Sequence, residues 1–132
     1  MSDPVFQLVE AIDRKDAQGI RDAYAPGARL VAMMPNTFQV ATGADDVAAK
    51  LAEWFVTWEE EPSYSFLGTV RDGDRAVVEF ERVSTFEGAP WVVRQAHVIE
   101  VGAEGIVEHR MYCCGPREGA PELAGTYMGA AS

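Results

Sequence analysis

From Pro62 onward the hydrophobic pattern of the chain repeats every second residue, and this half limits the fold most. Residues 63–70, 76–86, 92–101 and 106–114 each alternate apolar and polar side chains. Asp72-Gly73-Asp74 and Gly88-Ala89-Pro90 punctuate the series. Period two marks strands, and short Gly/Pro/Asp turns join them as antiparallel hairpins. The last hairpin carries the polar exceptions. Trp91, Val93, Gln95, His97, Ile99 and Val101 share a face that is apolar except for one amide and one imidazole. The returning arm has Ile106, Glu108, Arg110, Tyr112 and Cys114 on one side and Val107, His109, Met111 and Cys113 on the other. Neither side is wholly solvent-like. One side is therefore expected to line a polar-studded cavity and the other to face a partner.

The first half is mainly helical. Asp3-Pro4 reads as an N-cap followed by proline at the first helical position, with Val5, Leu8, Val9 and Ile12 on one face. Asp16 caps a second short helix that turns Ile20, Ala23 and Tyr24 inward before Pro26-Gly27 stops it. Two short strands follow, over 28–34 and 37–41. A long helix then runs from Ala44 to about Trp58, with Val47, Leu51, Trp54, Phe55 and Trp58 in an apolar stripe. Asp45 and Asp46 suit its first turn, where the helix dipole favours negative charge. Glu59-Glu60-Glu61 reads as a solvated exit.

At 132 residues the chain is the size of one domain, expected over 1–115, with a Gly/Ala/Pro-rich tail over 116–132 anchored only by Leu123, Tyr127 and Met128. Eleven basic against 21 acidic residues give a net charge of −10 with no basic cluster, which argues against nucleic acid and anionic membrane surfaces. No apolar run approaches the ~20 residues that span a bilayer. The start of the chain lacks the pattern of a secretory signal, and the cytoplasm is the expected site of action. Cys113 and Cys114 diverge as strand neighbours, so neither a bridge between them nor a two-cysteine metal site is expected. No metal or organic cofactor is implied.

Three segments carry a resemblance. Residues 16–28 look like a second helix running into a first strand, Gly43-Ala44-Asp45-Asp46-Val47 like the start of a long helix, and Gly105-Ile106-Val107-Glu108-His109 like a late-strand motif. Together they resemble the nuclear transport factor 2-like superfamily, which includes ketosteroid isomerase, limonene-epoxide hydrolase and SnoaL-like polyketide cyclases. The resemblance implies an α+β cone: a curved, mixed, mainly antiparallel sheet wrapped around a long helix, with an N-terminal helical hairpin. Glu81-Arg82-Val83-Ser84 is similar to the epoxide hydrolase strand with an Arg-x-Asp pair, with Ser84 where the aspartate stands. Tyr112-Cys113-Cys114 is similar to its last motif, with Cys114 in place of the acid. Its first-strand partners would fall at Val31 and Met33. The match places Glu108, Arg110, Tyr112 and Cys114 inside, whereas counting apolar residues favours Val107, His109, Met111 and Cys113. We follow the match, and note that a β-bulge flips the alternation beyond it.

His97, an imidazole on an apolar face, is the first candidate for chemistry: desolvation holds it neutral, as a general base requires. Its alternative is a core histidine bonded to backbone or to Gln95. Arg82 would bind an enolate, phenolate or carboxylate, or else pair with Glu108, and Tyr112 would donate to a developing oxyanion. Gln95, Ser84, Trp54, Phe80, Cys114 and Met33 are the expected substrate contacts. Two readings follow. One is a cofactor-independent enzyme performing cyclisation, isomerisation or ring-opening on a hydrophobic polyketide- or terpenoid-like molecule. The other is a non-catalytic binding or dimerisation module of the same fold. A homodimer through the open sheet face is expected in either case, because Val77, Val83, Val92 and Val98 face outward.

Overall fold

The computed structural model describes residues 3–57, 63–86, 88–115 and 117–118. Trp58, Glu59-Glu60-Glu61 and the tail beyond Glu118 lie outside the described residues, as do the side chains of Ser84 and Phe86. Helix α1 (Pro4–Asp13) starts where Asp3 Oδ1 accepts from the Val5 amide at 3.1 Å, and α2 (Ala17–Asp22) where Asp16 Oδ1 accepts from Gly19 at 2.9 Å. Each cap satisfies an otherwise orphaned N–H. Helix α3 (Ala44–Phe55) follows Gly43 and carries Asp45 and Asp46 in its first turn. It buries Ala44, Val47, Ala48, Leu51 and Phe55, while α1 buries Val5, Leu8, Ala11 and Ile12.

These stripes pack on strands β1 (Tyr24–Met34), β2 (Thr37–Thr42), β3 (Ser63–Asp72), β4 (Arg75–Phe86), β5 (Ala89–Gly102), β6 (Gly105–Cys113) and β7 (Arg117–Glu118). The strand order is β2-β1-β6-β5-β4-β3, with β7 pairing β5. Only β1 and β6 run parallel; the pairs β1–β2, β3–β4, β4–β5, β5–β6 and β5–β7 are antiparallel. One core joins Leu8, Ile12, Ile20, Leu51 and Phe55 to Leu30, Val78, Phe80, Ile99, Ile106 and Met111. Full burial of such a side chain stabilises by roughly 1.5–3 kcal/mol. Leu51→Ala, at the centre of α3, would cost about 2–5 kcal/mol.

Two sequence expectations are corrected here. Tyr24 does not end a helix but begins β1, and Pro26-Gly27 lies inside that strand. Tyr24 pairs with Ile106 and Arg29 with Glu108, so residues 25–28 form an irregularity in the ladder. There a proline's missing N–H costs no ladder bond. Gly105, at φ +126°, makes the close approach: a Cβ on it would lie 2.8 Å from Ala23 O, and Ile106 N donates to that same carbonyl at 2.9 Å.

The second correction concerns β6. Val101 pairs with Ile106 but Glu100 with Glu108, leaving Val107 as the extra residue of a bulge. Alternation therefore flips. Ile106, His109 and Met111 are buried, whereas Tyr112 and Cys114 are exposed and Glu108 and Arg110 are half-exposed. The resemblance had put those last four inside.

Candidate functional site

The flip delivers His109 to the inner face beside His97. His97 stands on β5 opposite Met111, and His109 on β6 opposite Ile99, so the two rings sit diagonally across one antiparallel pair. His97 Nδ1 lies 2.7 Å from His109 Nε2, with ring centroids 4.9 Å apart. From β1, Tyr24 Oη lies 2.6 Å from His109 Nδ1. Gln95, two residues before His97, places Oε1 2.9 Å from His97 Nε2. Its amide nitrogen turns to Cys113 Sγ at 3.8 Å. Four side chains from three strands form one continuous hydrogen-bonded chain.

The direction of that chain follows from its end. Gln95 Oε1 can only accept, so His97 Nε2 carries the hydrogen and His97 Nδ1 accepts. His109 Nε2 then donates to it, which leaves His109 Nδ1 to accept from the Tyr24 hydroxyl. Both imidazoles are neutral Nε2–H tautomers. Burial pushes both below the ordinary histidine range, His97 well below it with His109 adding to the shift and His109 to about 3, and raises the Tyr24 hydroxyl well above its usual value. A satisfied buried network of this kind costs little, whereas each unmade bond in it would be expensive.

A cleft opens on the other side of Phe80. It measures about 240 Å³ and is lined by Val9, Glu10, Ile12 and Asp13 of α1 and by Phe66 and Phe80 of β3 and β4. The Phe80 ring meets His97 edge-on at 5.1 Å and Phe66 at 6.1 Å. Phe55 packs behind it, 6.1 Å from His97. His97 itself is fully buried. Phe80 thus forms the partition between the cleft and the polar chain.

The comparisons with known proteins identify this architecture. A family model described as the SnoaL-like domain matches residues 5–109, most of the chain. The chain belongs to the SnoaL-like family. Among solved structures, the SnoaL-like domain is similar to an NTF2-like protein from Burkholderia thailandensis (TM-score 0.71, 21% identity, covering 86% of this chain and 92% of the other). It is also similar to a limonene-epoxide-hydrolase-like enzyme from M. tuberculosis (0.63, 16%, 83% and 79%). A third is a protein of ketosteroid isomerase-like fold from Catenulispora acidiphila, solved in complex with trimethylamine (0.64, 16%, 83% and 83%). At these identities the likeness establishes the cone-shaped fold and nothing finer. No curated protein matches the chain.

Within the SnoaL-like domain the site residues expected from sequence separate. His97, Gln95 and Phe80 meet at the partition. Arg82 shares their face, because it stands opposite Val93, but His97 stands opposite Val78, four residues away along β4. At ~3.3 Å per residue that is about 13 Å of backbone. Arg82 is half-buried and does not line the cleft. Glu108 is not its partner: it lies outside, 3.2 Å from Arg110 and 3.9 Å from Arg29. Tyr112 and Met33 pair across β6 and β1 on the outer face, 46% and 44% exposed. Cys114 is exposed, its Sγ accepting from Arg94 N at 3.3 Å and donating to Gly115 O at 3.0 Å. Trp54 is half-buried on α3 below Lys50, whose Nζ is 5.8 Å from its ring, and the Ser84 side chain lies outside the described residues.

Sequence reasoning missed Tyr24 and His109 as partners of His97. A signal existed for His109, the apolar count that favoured its face of β6. Among the described residues no group of three or more His, Cys, Asp or Glu side chains could hold a metal.

Proposed function

We propose that this SnoaL-like domain binds a compact hydrophobic small molecule in the cleft between α1 and the β3–β4 hairpin, without catalysing its conversion. The observation that carries this reading is the position of Phe80, which lines the cleft and closes off His97. The lining is two phenyl rings and two aliphatic side chains, with carboxylates only from Glu10 and Asp13. Its volume falls below the ~300–1,000 Å³ of drug-sized sites, so the ligand is small. Burial also weakens His97 as a base: the desolvation that keeps it neutral makes it hold a proton poorly.

The domain acts as a homodimer through its outer sheet face. Val40, Val31, Val98, Val77 and Val70 lie in one row across the sheet, interrupted on β6 by Arg110, and Phe38, Met33, Tyr112 and Ala96 form the next row. Phe38, Val40 and Val70 are 64%, 50% and 74% exposed, an apolar surface that a second copy would cover. Val92, one of the residues expected on that surface, is buried instead, opposite Arg117 of β7. Free Cys113 and Cys114 fit a reducing compartment such as the cytoplasm.

Methyl and aromatic NMR spectra test the cleft. Titration with benzyl alcohol is expected to shift Val9, Ile12, Phe66 and Phe80 ahead of all other signals. Saturable shifts elsewhere with none at these four would overturn the reading.

A second reading, general acid–base catalysis on a carbon acid, is favoured by one observation: the polar chain lies a single ring behind the cleft wall. In that case Phe80 swings aside, the His97–His109 hydrogen bond opens, and the freed His97 Nδ1 removes a proton next to a carbonyl. Exchange of the α-hydrogens of cyclohexanone in D₂O, accelerated by the wild type and lost in His97→Gln, would establish it. Equal rates in the two proteins leave the binding reading standing.

A further inference from the structure

The α1 end of the cleft carries two carboxylates. Glu10 and Asp13 occupy the last turn of α1, where the helix dipole already disfavours carboxylates, and that turn contains no basic residue. Among the described residues, seven ion pairs tie cations to acids elsewhere, and none involves Glu10 or Asp13. Arg14 and Lys15 follow immediately in the chain yet pair with neither. Opposite these carboxylates, across the cleft, stand the Phe66 and Phe80 rings, and no Lys, Arg or His lines the space. The negative end of a helix favours a cation, and aromatic faces attract cations through their quadrupole. A neutral hydrophobic ligand would use the rings and leave the carboxylates unanswered.

We infer that the cleft selects a small organic cation, a protonated amine carried on a compact hydrophobic group. The inference rests on the cleft reading above and adds the charge of the ligand. The apolar group lies against Val9, Ile12 and the two rings, and the ammonium points to Glu10 and Asp13. Carboxylate ligands are excluded by like charge, in a chain whose net charge is −10.

The test uses three probes of one shape: benzylamine, benzyl alcohol and benzoate, titrated into the full chain at pH 7 and followed by calorimetry and by NMR of Ile12 and Phe66. Benzylamine is expected to bind on the order of tenfold tighter than benzyl alcohol, as one cation–π contact and two partly screened ion pairs allow, and benzoate not to bind. The double variant Glu10→Gln/Asp13→Asn keeps the shape of both exposed side chains. It is expected to bring benzylamine to the affinity of benzyl alcohol and leave the alcohol unchanged. Equal binding of amine and alcohol to the wild type, or an amine preference that survives in the variant, overturns the cation inference but not the cleft. Failure of all three probes to move Ile12 or Phe66 overturns the cleft and the inference with it.

Discussion

His97 Nδ1 accepts a hydrogen bond from His109 Nε2 at 2.7 Å, so two fully buried imidazoles on adjacent strands are joined by a single shared hydrogen. With Tyr24 and Gln95 the pair forms one hydrogen-bonded chain across β1, β6 and β5. The cleft of about 240 Å³ lies beyond Phe80. Stability and titration behaviour follow from that arrangement.

Stability should fall as pH drops below about 6.5. Both histidines are neutral in the folded protein, His109 down to about pH 3 and His97 also well below its usual range, while in the unfolded chain each takes up a proton near 6.5. The unfolded state therefore binds more protons below 6.5, and acid favours it. Each histidine contributes on the order of 1 kcal/mol per pH unit through that window. Urea melts at pH 7.5, 6.0 and 5.0 measure the slope; identical midpoints would mean that the rings are not held neutral.

Tyr24→Phe should destabilise the fold by about 1–3 kcal/mol, although it removes a single oxygen, because it leaves the buried His109 Nδ1 without its donor. The phenyl ring keeps the packing, so the loss reports the hydrogen bond. A change below about 0.5 kcal/mol, within the range of ordinary surface substitutions, would show that the bond contributes little.

The homodimer is expected in sedimentation at micromolar concentration, and Phe38→Asp should convert it to monomer without lowering the melting temperature of the separate subunit. Phe38 is 64% exposed on β2 and contributes nothing to the core. A wild type that sediments as a monomer would leave the two outer apolar rows without the proposed partner.

Much of the fold was readable from local chemistry. The caps at Asp3 and Asp16, the α3 stripe of Val47, Leu51 and Phe55 and the turn at Asp72-Gly73-Asp74 all act through residues close in the chain. The site was harder to read, since it depends on register between distant strands. His97 could be placed on the inner face by alternation alone. Its partner His109 could not, because one extra residue at Val107 reverses β6, and nothing in the alternation distinguishes a bulge from a strand with a polar inner face. Tyr24 was hidden by Pro26-Gly27, which ends a helix as readily as it kinks a strand. Arg82 and His97 shared a face as expected, but Arg82 stands four positions along β4 from Val78, the residue opposite His97, and that keeps them apart.

Imidazole ¹⁵N spectra of the selectively labelled protein, followed from pH 8 to pH 5, test the central claim most directly. Both rings should stay in the neutral Nε2–H form throughout, with a coupling across the hydrogen bond from His109 Nε2 to His97 Nδ1. A His97 that titrates near pH 6.5, or holds its hydrogen on Nδ1, would contradict the account, because its ring would then face water rather than the closed chain behind Phe80.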